Sequence, residues 1–131
     1  MYSMGNQITS SSYHFEKVQA QIQNKDPNII FISTLDKTQQ HCLIQGTLSI
    51  EEEIKTINEW MKKRQKGTIV VYGKNYSDPS VYKKFKQLTQ QSNCSCYIYL
   101  GGLFEWLLLQ EIYGCGLFPT QGNENDLLKF R

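Results

Sequence analysis

Three short runs of consecutive apolar residues govern what this chain can fold into. Ile29-Ile30-Phe31-Ile32, Thr68-Ile69-Val70-Val71-Tyr72 and Cys96-Tyr97-Ile98-Tyr99-Leu100 are rich in branched and aromatic side chains and do not alternate with polar residues. Runs of this kind read as strands covered on both faces. The segments between them carry helical spacing instead. Phe15, Val18 and Ile22 place an amphipathic helix over Phe15–Asn24, stopped by the turn residues Lys25-Asp26-Pro27-Asn28. Ser49 and Glu52 form a capping box, Glu51-Glu52-Glu53 match the positive helix end, and Lys62, Lys63, Arg64 and Lys66 match the negative end. The spacing predicts a buried stripe of Ile50, Ile54, Ile57 and Met61 with Trp60 at its margin, and Gly67 as a left-handed stop. A third helix opens at Asp78-Pro79, with Val81, Phe85 and Leu88 inward and Lys83, Lys84 and Lys86 outward. Gly101-Gly102 turns into an apolar helix over 103–113 that Gly114 ends. Residues 35–45 read as loop, 46–48 as a short strand, and 125–130 as a last turn of helix. Buried strands alternating with helices imply an α/β three-layer domain with a mainly parallel central sheet.

The 131 residues suit one domain, read here as residues 13–131 behind a polar leader of residues 1–12. Fourteen Lys and Arg against twelve Asp and Glu leave +2, with a pI near 8.3. That is too mild for an electrostatic nucleic-acid footprint, so no nucleic-acid partner is expected. The most apolar stretch, 103–109, is interrupted by Glu105 and falls far short of a membrane span, so no transmembrane segment is expected. The leader has no apolar signal core, which points to an intracellular, reducing compartment and free thiols at Cys42, Cys94, Cys96 and Cys115. Cys94 and Cys96 make a weak metal signal without a second pair, so they read as small buried hydrophobes; neither metal nor cofactor is expected. Met4-Gly5-Asn6-Gln7-Ile8-Thr9 fits a myristoylation pattern only if translation starts at Met4; as the chain is written, the match reads as accidental.

The order of these segments resembles a rhodanese-like domain over nearly the whole chain after Tyr13. Ile29-Ile30-Phe31-Ile32 stands at the family's first strand, Ile44-Gln45-Gly46-Thr47 resembles its Ile-Pro-Gly-Ala segment, and Thr68–Tyr72 stands at the strand before the catalytic loop. Gly101-Gly102-Leu103-Phe104-Glu105-Trp106 matches its Gly-Gly-x-x-x-Trp element. The Tyr-Gly-Lys-Asn loop and the Leu-Gly-Gly-Leu-Phe-Glu-Trp run are similar to small rhodanese-like proteins of large DNA viruses and some protists. The resemblance implies sulfur transfer through a persulfide on a cysteine directly after that strand, cradled by backbone amides.

This chain departs from that pattern where the chemistry would sit. Gly73 takes the nucleophile position, and the loop Gly73, Lys74, Asn75, Tyr76, Ser77, Asp78 holds no cysteine. Ser33-Thr34-Leu35 stands where the family has Asp-x-Arg. The expectation is therefore a protein without catalytic residues, serving as a structural or protein-binding module in a larger assembly. One alternative keeps the loop as an anion site, with the amides of residues 74–77, the Lys74 side chain and a helix N-terminus holding phosphate, against which Asp78 already supplies a carboxylate. Another is a sulfurtransferase that uses Cys42 beside His41, although neighbours on an extended chain face opposite ways. A protein-contact surface is expected on the loop and the next helix, through Tyr76, Tyr82, Lys83 and Lys86, with Phe118 and Phe130 as further candidate aromatics.

Overall fold

A computed structural model describes residues 11–131; the Gly5 pattern and most of the polar leader lie outside them. The elements in chain order are β1 (Ser12–Tyr13), α1 (Phe15–Asn24), β2 (Ile29–Ser33), β3 (Leu43–Ile44), α2 (Ile50–Lys62), β4 (Thr68–Tyr72), α3 (Pro79–Gln91), β5 (Ser95–Tyr99), α4 (Gly102–Tyr113) and β6 (Thr120–Gln121), with single 3-10 turns at Lys37–Gln39 and Leu127–Phe130. The central sheet runs β1-β5-β4-β2 and every pairing in it is parallel. Ile30 lies opposite Ile69, and Ile69 opposite Cys96, so every second residue of each of the three strands shares one face.

That register divides the core in two. Phe31, Val70, Tyr72 and Tyr99 face Val18 of α1 and Leu103, Trp106 and Leu107 of α4, with Phe118 and Phe130 completing the layer. Ile30, Ile32, Ile69, Val71, Cys96 and Ile98 face Trp60 of α2 and Val81, Phe85 and Leu88 of α3. This is why the strands show no alternation: each has apolar partners on both sides. β3 and β6 form a separate antiparallel pair.

Several expectations need correction. The short strand is Leu43–Ile44 rather than 46–48, where only Thr47 bridges to Phe31. Ser12, the last residue assigned to the leader, pairs with Ile98 in β1. On α2 the capping box is present, with Glu52 N–H donating to Ser49 Oγ at 3.1 Å and Ser49 N–H to Glu52 Oε1 at 2.9 Å. Its buried face, however, is Glu53 and Trp60, while Ile54 and Met61 are exposed. Lys84 does not point outward: its Nζ reaches Glu53 Oε1 at 2.7 Å, so the buried carboxylate keeps a cation. Gly67 does not supply the left-handed residue, which is Arg64 at φ 53°. Gly67 is small because the Trp60 ring lies where its Cβ would stand. Phe118 and Phe130 are core residues, 2% and 1% exposed, and offer nothing to a partner.

The tail is pinned through Glu124. Its carboxylate meets His41 Nε2 at 2.7 Å, Lys129 Nζ at 3.1 Å and the Asp126 N–H at 3.1 Å. The His41 contact first, then the Asp126 amide and Lys129, hold this carboxyl down at about 2, against an ordinary 4.5. A folded-state pKa below the unfolded one stabilises the fold above pH 4.5, and that contribution disappears as pH falls through about 2. An NMR titration should therefore show Glu124 and the Asp126 amide moving together near pH 2; a midpoint at the ordinary value would mean the tail is not held this way.

Candidate functional site

The loop of residues 73–78 leaves the C-terminal end of β4, the edge at which parallel α/β sheets place their ligands. Its backbone is engaged on both sides. The Gly73 and Lys74 carbonyls accept from the Leu103 and Phe104 amides at 2.9 and 2.8 Å, so the loop caps the N-terminus of α4. That approach requires Gly102, which sits at φ 69° with the place of its Cβ 2.8 Å from both the Asn75 nitrogen and the Gly73 oxygen. Asn75 ties the loop to the tail, with Nδ2 donating to the Phe130 carbonyl at 2.9 Å and Oδ1 accepting from Ser77 N–H at 2.9 Å.

Asp78 occupies the centre. Its Oδ2 accepts from Lys74 N–H at 3.0 Å, and its Oδ1 from Ser80 N–H at 3.0 Å and Ser80 Oγ at 2.7 Å. Burial opposes ionisation, but these hydrogen bonds from Lys74 and Ser80, with the Lys74 charge, outweigh it and hold the carboxyl below its ordinary range. The internal carboxylate thus holds the Lys74 and Ser80 amides that a bound anion would need, and Asn75 holds the Ser77 amide.

At Gly73 the absence of a side chain is enforced by packing. An added Cβ would stand 2.5 Å from Asp78 Oδ2, 2.5 Å from Val81 Cγ2 and 2.8 Å from Thr34 Oγ1. Thr34, which took no part in the expected site, closes it, its Oγ1 lying within hydrogen-bond distance of Ser80 Oγ at 2.8 Å. Nothing in the sequence near Thr34 signals this, because the contact depends on β2 and β4 being neighbours. Gly73→Cys is expected to cost about 1–3 kcal/mol through overpacking and to yield no sulfur-transfer turnover. Urea unfolding and a thiocyanate assay check the two halves; a stable, active variant would contradict this account of the position.

The remaining candidates are dispersed. Tyr76 is 75% exposed on the loop, and Lys83 and Lys86 are exposed on α3, whereas Tyr82 is half-buried against the α2–α3 core layer. Beside the loop a cleft of about 290 Å³ is lined by Ser33, Thr34, Glu53, Ser80, Lys83 and Lys84, among others. None of the four cysteines reaches the loop. Cys42 is fully buried, with burial first and the Glu124 charge second pushing its thiol up, while the adjacent His41 turns out to Glu124. Burial also raises Cys96; Cys94 is half-buried and Cys115 exposed. Among the described residues no group of three or more His, Cys, Asp or Glu is arranged to hold a metal, and no helix is long and apolar enough to cross a membrane.

No protein-family model matches the chain, and no curated protein matches it in sequence. Solved structures match it in fold. The BH2092 protein of Bacillus halodurans superposes with a TM-score of 0.62 at 19% identity, over 83% of this chain and 80% of that one. The rhodanese-like domain of the Anabaena Alr3790 protein, solved by NMR, gives 0.62 at 17% identity over 86% and 80%. A Lactobacillus plantarum protein gives 0.56 at 16% identity over 84% and 96%. With its all-parallel central sheet between helical layers, the chain has a rhodanese-like fold.

Proposed function

We propose that this rhodanese-like fold works without sulfur-transfer chemistry, as a structural or protein-binding module within a larger assembly. The observation that carries the reading is the packing at Gly73. Where the resemblance places a nucleophile, the volume of a Cβ is taken by Asp78, Val81 and Thr34. Persulfide chemistry needs an accessible thiolate held by amides. Here a carboxylate takes the amides of Lys74 and Ser80, and the two thiols raised by burial, Cys42 and Cys96, sit in the core. The same engagement argues against the anion-binding alternative. The likeness to small viral and protist forms rests on the loop and Gly-Gly motifs and fits a role by surface.

The contact surface in this reading is Tyr76 with Tyr82, Lys83 and Lys86, an aromatic and basic face suited to an acidic partner. Turnover of thiosulfate and cyanide to thiocyanate tests the catalytic half: background rates are expected, and sustained turnover overturns the reading. Affinity purification from the native source tests the other half. Tyr76→Ala combined with Tyr82→Ala should remove a co-purifying protein, and unchanged recovery would discard this face.

A further inference from the structure

We infer that the outer face of α4 is a second docking surface, built for a basic amphipathic helix of a partner protein. It lies on the core layer opposite α3, so it is independent of the surface described above. Helix α4 is apolar nearly all round, a pattern suited to burial on every side. Yet only Gly102, Leu103, Trp106 and Leu107 are buried, with Phe104 and Leu109 packed in part against the same core layer. Leu108 is 41% exposed, Ile112 63% and Tyr113 61%, and Leu117 just beyond the helix is 52% exposed. Leu108 and Ile112 are four residues apart, one above the other on a single stripe. Leu108 and Ile112 therefore form one continuous exposed apolar stripe, an arrangement that marks an interaction site.

The charge within the stripe selects the occupant. Glu111 is exposed between Leu108 and Ile112 and belongs to none of the ion pairs among the described residues. From residue 87 to residue 128 the chain has no Lys or Arg, while it carries Glu105, Glu111, Glu124 and Asp126. Glu105 is engaged by the Tyr99 hydroxyl at 2.6 Å, and Glu124 by His41 and Lys129. Glu111 is left for a cation from outside. A second copy packed symmetrically on this stripe would bring two Glu111 carboxylates together, and an anionic bilayer would repel the same group. A helix with apolar residues at i, i+3 and i+4 and Lys or Arg beside them satisfies both the stripe and its acid.

Two synthetic amphipathic helical peptides test this, one of leucine and lysine and its leucine–glutamate counterpart, titrated against the full chain by NMR and fluorescence anisotropy. The lysine peptide should bind with amide shifts centred on residues 108–117, and the glutamate peptide about tenfold more weakly or worse. Glu111→Lys should invert that order, and Leu108→Ser with Ile112→Ser should abolish binding while leaving the spectrum of the core unchanged. Equal affinity for the two peptides overturns the inference, as do shifts centred on Glu51, Glu52 and Glu53 of α2. Self-association or binding to phosphatidylserine vesicles that is lost in the same double variant would assign the face to a second copy or to a membrane instead.

Discussion

Trp106→Ala is expected to lower the unfolding free energy by about 3–5 kcal/mol, the range for truncating a large buried aromatic. Trp106 is fully buried, the largest such side chain among the described residues. Its ring meets Tyr99 edge-on at 6.0 Å and Phe118 at 5.0 Å, and its Nε1–H donates to the Pro119 carbonyl at 3.0 Å. The substitution therefore opens a cavity and also releases the segment that carries β6. A domain of this size has only about 5–15 kcal/mol of stability, so the variant should unfold at a much lower urea midpoint with an unchanged slope. A loss under about 1 kcal/mol would mean that the tail packs elsewhere.

Gly102→Ala is expected to cost on the order of 3 kcal/mol, combining left-handed backbone strain with overpacking. The φ of 69° already disfavours any L side chain. The Cβ would in addition meet backbone atoms, namely the Asn75 nitrogen, the Gly73 oxygen and the Lys74 carbonyl carbon. Backbone cannot swing aside as a flexible side chain can, so the loop must detach from the N-terminus of α4. Hydrogen exchange at the Leu103 and Phe104 amides reads this directly, because their acceptors are the Gly73 and Lys74 carbonyls. Full protection in the variant would contradict the proposed docking of loop on helix.

The three buried strands were legible because each is a continuous apolar run, and two of the helix starts because Ser49 and Asp78 announce them. Elements of two residues, such as β1, β3 and β6, have no periodicity to read. The buried face of α2 departs from its isoleucine pattern for a definite reason. Counting isoleucines favours the Ile50–Ile54–Ile57 side, but the Trp60 ring packs against Gly67 and the β2–β4 layer and rotates the helix toward itself. Glu53 follows it inward because Lys84, on a different helix, supplies its counter-charge. Phe118 resembled a surface aromatic because its neighbours Trp106, Phe15 and Tyr113 come together only in three dimensions.

The candidate site was legible as a position and not as a packing arrangement. Gly73 and the Gly101-Gly102 pair stand out in sequence, and Asp78 reads as a helix cap. That Asp78 also fills the loop, and that Thr34 and Val81 leave no space for a Cβ at Gly73, depends on β2, β4 and α3 meeting at one corner.

The central claim is that this chain does not carry sulfur as a persulfide. Intact-mass spectrometry of the full chain after incubation with excess thiosulfate tests it most directly, because it reports all four cysteines at once. The account predicts an unchanged mass. An added sulfur atom that cyanide removes, mapped to Cys42, Cys94, Cys96 or Cys115, would contradict it.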